Sequence, residues 1–196
     1  MKSASEELLI KTALSLGAHM AALVRVADVR FDPAFRAACE ANRCGNYGKS
    51  WTCPPDVGDI HALVAKASSF DSALVFQSVT TMKSSFDYRA VMDLGQKHNE
   101  LTARLALELA PLAPLALGAG KCSFCKRCAK LDEEKCRFPD KAVRSMEAHG
   151  IDVYALSKQA GLKYNNGEKT MTLFGCLLLP RVDGAVNSVP SRSSRL

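Results

Sequence analysis

Several of the usual carriers of enzyme chemistry are missing from this 196-residue chain. It has four histidines, His19, His61, His98 and His149, and no two of them stand at a metal-binding spacing. Ordinary surface or core roles account for each of them. No Ser/His/Asp order, phosphate-cradling glycine loop or dinucleotide fingerprint occurs, and the GAG at Gly118–Gly120 is too short to count as one. The net charge of +6 is not arranged as an aromatic-interleaved basic stripe, so specific nucleic-acid binding is not expected. Long apolar runs are absent too. The stretch 105–120 is interrupted by Glu108, Pro111 and Pro114, which argues against a membrane-spanning helix. The N-terminal leucines share their stretch with Glu6, Glu7 and Lys11, an amphipathic helix rather than a signal peptide. A cytoplasmic protein is the expectation, without internal repeats or low-complexity blocks.

Cysteine, by contrast, is plentiful. Eight cysteines in a cytosolic chain argue for metal or redox chemistry over a disulfide scaffold. Four of them lie in CSFCKRCAKLDEEKC, where Cys122, Cys125 and Cys128 follow one another through two-residue gaps and Cys136 comes seven residues later. Two-residue gaps let a chain curl around one metal centre with its amides directed at the sulfurs. Thiolate-held iron–sulfur clusters use runs of this kind, although the ferredoxin spacing ends in a three-residue gap before Cys-Pro. Here the last gap is seven and the proline follows at Pro139. A tetrahedral all-thiolate zinc, disulfides or inert buried thiols are the rival readings. Zinc sites more often come as two separated pairs, so iron–sulfur is preferred.

A second set, Cys39, Cys44 and Cys53, is spaced by four and eight residues in CEANRCGNYGKSWTCPP. Gly45, Gly48, Pro54 and Pro55 make a loop of this stretch. Glycines allow close backbone approach to a ligand, and Pro54 holds Cys53 extended. Tyr47 and Trp51 are candidates to shield such a centre, or a packed aromatic pair beneath the loop. Two four-iron clusters need eight thiolates and the two motifs supply seven. The eighth cysteine, Cys176, sits between Gly175 and three leucines and reads as a core thiol. One centre is then left with three cysteines, either open or closed by another ligand. Alternatively Cys136 crosses to the first set, leaving Cys122, Cys125 and Cys128 open.

The cations Lys121, Lys126, Arg127, Lys130, Lys135 and Arg137 surround the quartet. They would stabilise a reduced anionic centre, or are simply solvated. Asp132, Glu133 and Glu134 read as a solvated turn.

Along the chain, periodicity and caps predict helices from Ser5 to near Gly17, Pro33 to Ala38, Val57 to Ser68 behind an Asp56 cap, Tyr88 to Leu109, Pro139 to Gly150 and Val153 to Ala160. Strands are predicted at Ala21–Val29, Ser72–Val79, Leu112–Leu117 and Thr170–Leu179. The fold class is α/β or α+β: a mixed sheet flanked by helices, with both cysteine stretches in connections. One domain over 1–182 and a tail over 183–196 are expected.

YGKSWTCPP (47–55), GAGKCSFCKRC (118–128) and CRFPDKAVRSMEAHGIDV (136–153) together resemble a family of cysteine-rich predicted metal-binding proteins of uncharacterised function, domain of unknown function 2284. Cys39, Cys44, Cys53, Cys122, Cys125, Cys128 and Cys136 match its pattern, and Cys176 does not. The resemblance implies an iron–sulfur or other metal-binding group without naming a reaction, and the ligand count allows one or two clusters, most simply [4Fe-4S], with zinc as the alternative. Electron transfer to or from a partner redox enzyme is expected; a redox enzyme with an open three-cysteine cluster acting on a small molecule, and a zinc-stabilised structural or interaction module, are the alternatives.

Overall fold

The computed structural model describes residues 4–84 and 87–181. The tail expected over 183–196 lies outside the described residues. Five strands form one open mixed sheet: β1 (Met20–Arg25), β2 (Ser72–Thr81), β3 (Leu115–Gly118), β4 (Arg144–Ser145) and β5 (Thr170–Leu179), in the order β1-β2-β5-β3-β4. Every pairing is antiparallel except β3 with β4. The most apolar segment, TMTLFGCLLL, takes the middle position as β5, where both faces are covered and an unbroken apolar run is what burial demands.

Helices lie on both faces. On one, α1 (Ala4–Ser15) and α4 (Tyr88–Glu108) bury Leu9, Ala13, Leu101 and Leu105 against Leu74, Phe76, Leu177 and Leu179. On the other, Ile151, Leu156 of α5 (Val153–Gln159) and Ala67 of α3 (Ile60–Ser68) cover Ala73, Val75, Cys176 and Leu178. The alternation of in and out along β2 and β5 fixes which residues meet which helix layer. Gly175 matters for the first layer. A Cβ there would come within 2.6 Å of Phe76 Cζ and 3.0 Å of His98 Nε2. Its absence lets His98 of α4 reach the Phe174 carbonyl at 2.9 Å.

Several predicted elements differ. The strand expected over Ala21–Val29 ends at Arg25, where a 3-10 turn (Val26–Asp28) takes over. The strand expected from Leu112 starts at Leu115, after a 3-10 turn at Ala110–Leu112. The helix behind Asp56 starts later, at Ile60, with Asp59 as its cap accepting from the Ala62 N–H at 3.0 Å. Gly58, at φ +114°, keeps the chain out of helix until then, and Asp56 is engaged elsewhere. The helix expected from Pro139 to Gly150 does not form. Pro139–Lys141 and Glu147–His149 are single 3-10 turns, separated by β4. Arg144 and Ser145 pair with Leu117 and Gly118 of β3, and the Met146 N–H reaches the Gly118 carbonyl at 3.0 Å. Sheet pairing overrides local periodicity here.

The parallel pair β3–β4 positions the site. Parallel neighbours need a long crossover, usually a helix. In this chain the crossover is the cysteine loop itself, residues 119–143, with one four-residue 3-10 turn (Ala129–Asp132) and the shorter turn at Pro139 as its regular elements.

Candidate metal centre

Cys122, Cys125, Cys128 and Cys136 line one small cavity together with Ser50, Trp51 and Thr52 of the other cysteine stretch. The sequence reading placed the two motifs in separate loops; the structure joins them. Thr52 Oγ1 accepts the Cys122 N–H at 3.2 Å, and its hydroxyl also faces the Cys53 sulfur. Trp51 Nε1–H donates to the Glu134 carbonyl at 2.9 Å, and Lys130 Nζ lies 4.4 Å above the Trp51 ring. The same Lys130 ammonium pairs with Asp56 at 2.5 Å, both side chains largely buried. From the far side, Asn99 of α4 donates to the Lys121 carbonyl at 3.5 Å.

The sulfurs are set among donors. Burial pushes the Cys122 thiol up, opposed by hydrogen bonds from the Phe124 and Val143 N–H groups. The Val143 donor comes from the end of the crossover, so loop closure itself supplies it. Burial alone would raise Cys128 too. The N–H groups of Lys130 and Trp51, the Ser50 hydroxyl and the Arg137 guanidinium together hold it below the ordinary thiol range. Arg137 also donates to the Cys125 sulfur. Such donors stabilise thiolate charge and tune a bound centre.

The basic rim is only half free. Arg127 pairs with Asp132 at 2.9 Å, Arg137 with Glu134 at 3.3 Å and Lys130 with Asp56. Asp132 and Glu134 therefore brace the loop and are not a merely solvated turn. Lys121, Lys126 and Lys135 have no ion-pair partner among the described residues.

Cys39, Cys44 and Cys53 form a second group. Cys39 lies inside α2 (Phe35–Glu40), while Cys44 and Cys53 lie in the loop that follows. Burial raises the Cys39 thiol, with Arg36 opposing and Cys44, Glu147 and Glu40 adding to it. Cys53 is pushed up to about 11, by burial first and then by Cys44 and Cys39. Arg36, buried, donates to the Gly58 carbonyl at 3.0 Å and the Ala148 carbonyl at 3.4 Å, binding α2 to the end of the loop and to the Glu147–His149 turn.

Cys176 belongs to neither group. It is fully buried in the core, opposite Val75 and Leu117, and burial pushes its thiol up to about 12. Cys136 stays with the quartet, so nothing brings a fourth cysteine to the trio. His98 and His149 are core residues at zero exposure. Sequence reasoning missed Ser50, Thr52 and Arg36, whose residue types carry no signal by themselves. Among the described residues, no three His, Cys, Asp or Glu side chains converge tightly enough to chelate a single ion.

A family model described as a predicted metal-binding protein (DUF2284) matches residues 22–179. The chain belongs to that family. The matched span covers every strand except the first two residues of β1, and all eight cysteines of this predicted metal-binding protein. No curated protein and no solved structure matches it. Among the described residues no helix is long and apolar enough to cross a membrane.

Proposed function

We propose that this predicted metal-binding protein holds an iron–sulfur cluster on Cys122, Cys125, Cys128 and Cys136 and passes single electrons to or from a partner redox protein. The observation that carries the reading is the quartet of thiols around one cavity, with backbone and side-chain donors turned toward the sulfurs of Cys122, Cys125 and Cys128. Tetrahedral zinc sites more often draw on two separated cysteine pairs, whereas the two-residue gaps of Cys122, Cys125 and Cys128 crowd three thiolates onto one side, which suits a multi-iron cube. When bound, the cluster supplies one reversible electron at a potential set by sulfur hydrogen bonds and exposure.

The chain's own residues do the rest. Trp51 and Phe124 line the cavity and limit water. Arg137 and the N–H donors favour the reduced, more anionic state. Lys121, Lys126 and Lys135 are exposed in the loop that bears the quartet and take no ion-pair partner among the described residues, and Phe138, at 45% exposure, lines the cavity. An acidic electron-transfer protein is the partner that such a basic loop attracts.

The Cys39, Cys44 and Cys53 group supports a second reading, a redox enzyme whose three-cysteine cluster meets a small molecule. What favours it is the missing fourth thiol, since an open coordination position separates reactive from structural metals. Thr52, touching both groups, would make the two centres neighbours.

Anaerobic reconstitution with iron and sulfide, followed by visible absorption and low-temperature EPR, tests the first reading. Uptake of zinc alone, with no broad charge-transfer absorption, would overturn it. For the second, a small molecule should perturb the EPR of one cluster while Cys176→Ala leaves metal content unchanged.

A further inference from the structure

One side of α4 serves the cysteine crossover. Asn99 donates to the Lys121 carbonyl, and the Gly95 carbonyl accepts from the Ser123 hydroxyl, each at 3.5 Å. Helical periodicity turns Lys97, Leu101 and Arg104 to the opposite side. There α4 borders a second cavity of about 380 Å³, shared with β2 and with the turn between α1 and β1. That volume falls in the range of small-molecule sites, about 300–1,000 Å³. None of its lining residues lines the cavity of the quartet.

Val79, Leu94 and Leu101 give this cavity an apolar floor. Lys97 and Arg104, two turns apart on α4, stand at its wall with the His19 ring. Among the described residues none of these three side chains has a hydrogen-bond or ion-pair partner. Glu100, between the two cations, uses one carboxylate oxygen on the Gln96 amide at 3.0 Å and leaves the other for the cavity. The last polar group, Ser78, is oriented from behind. The Phe174 carbonyl can only accept, so His98 Nε2, 2.9 Å away, carries the ring proton. Burial brings His98 down to about 4 and keeps it neutral, which makes Nδ1 an acceptor. The Ser78 hydroxyl therefore donates to Nδ1 at 2.9 Å, and the lone pairs of its Oγ are left to accept from a molecule in the cavity.

We propose that this cavity binds a small apolar amino acid, its carboxylate on Lys97 and Arg104, its ammonium on Ser78 Oγ and Glu100, and its side chain over Leu94 and Leu101. Cations without partners call for an anion, and charge-assisted bonds to a carboxylate are the strong ones. Two acceptors beside them disfavour a plain anion such as phosphate, which would face Glu100 across like charge. A zwitterion answers both demands. A hydroxy acid satisfies Ser78 equally well but leaves Glu100 without a cation. The site stands apart from the cysteines, so it holds whether or not they carry a metal.

The test titrates leucine, methionine and phenylalanine into the nitrogen-15-labelled full chain and follows amide chemical shifts. Four comparison probes run beside them: 4-methylpentanoate, which is leucine without its ammonium; 3-methylbutylamine, which is leucine without its carboxylate; 2-hydroxy-4-methylpentanoate; and inorganic phosphate. At least one of the three amino acids should bind and shift the amides of Ser78, Lys97 and Arg104, with every comparison probe roughly tenfold weaker or more. Lys97, Glu100 and Arg104 are exposed, so Lys97→Gln, Glu100→Gln and Arg104→Gln should keep the fold and the metal content. Each should weaken amino-acid binding roughly tenfold. Long-range nitrogen-15 spectra should show His98 protonated at Nε2. No binding of the three amino acids, or equal binding of any comparison probe, overturns the proposal. So does unchanged affinity in the three variants, or a His98 ring protonated at Nδ1.

Discussion

The indole N–H of Trp51 donates to the carbonyl oxygen of Glu134 at 2.9 Å, across 83 residues of chain. This one bond ties the loop of the cysteine trio to the crossover that bears the quartet. With Lys130 above the same ring and its ammonium on Asp56, the two cysteine stretches behave as one structural unit.

Trp51→Phe removes the donor and weakens the cation–π contact while keeping an aromatic ring. The expected cost is about 1–2 kcal/mol, one net hydrogen bond and part of a cation–π pair. Metal should leave faster to a chelator, because the cavity wall is no longer fixed to the crossover. Chelator-release kinetics and a denaturant midpoint on the same preparation check both expectations.

Cys176 and Cys128 should separate cleanly. Cys176→Ala leaves metal content at the wild-type level and lowers stability by about 1–2 kcal/mol, a small cavity in a core strand. Cys128→Ala should lose the quartet's metal. Elemental analysis of the two variants side by side reads the difference.

His98 and His149 give a pH dependence with a definite sign. Burial holds both near 4, each opposed by one backbone hydrogen bond, whereas an unfolded histidine titrates near 6.5. Above pH 6.5 both states carry the neutral ring and stability is flat with respect to these groups. As pH falls from 6.5 toward 4 the unfolded chain takes up protons that the fold refuses. Stability therefore drops, by up to about 3 kcal/mol per histidine. Urea midpoints between pH 8 and 4 measure it. His98→Gln should flatten part of the slope, at the cost of the bonds to Ser78 (2.9 Å) and Phe174 (2.9 Å).

Gly175→Ala places a methyl group 2.6 Å from Phe76 Cζ. Overpacking of this kind costs about 1–3 kcal/mol. The melting temperature should fall, with the metal-to-protein ratio of the folded fraction unchanged.

How much of this was legible beforehand depends on what each residue does. β5 was readable to its ends, because an apolar run bounded by polar turns has one good home in a sheet. Cys176 was readable as core for the same reason. The division into trio and quartet followed from spacing. The cavity wall did not, because Ser50, Trp51 and Thr52 come from another stretch and act by position. The missing helix at 139–150 was misread because its pattern is periodic, and nothing local shows that β3 is waiting to pair with Arg144 and Ser145.

The most direct measurement is iron, acid-labile sulfide and zinc per chain in protein purified without oxygen. The account predicts iron and sulfide in equal amounts, roughly four of each per cluster, with zinc near zero and the quartet's share of both lost in Cys122→Ser. Zinc bound stoichiometrically without sulfide, or iron and sulfide unchanged in Cys122→Ser, would contradict it.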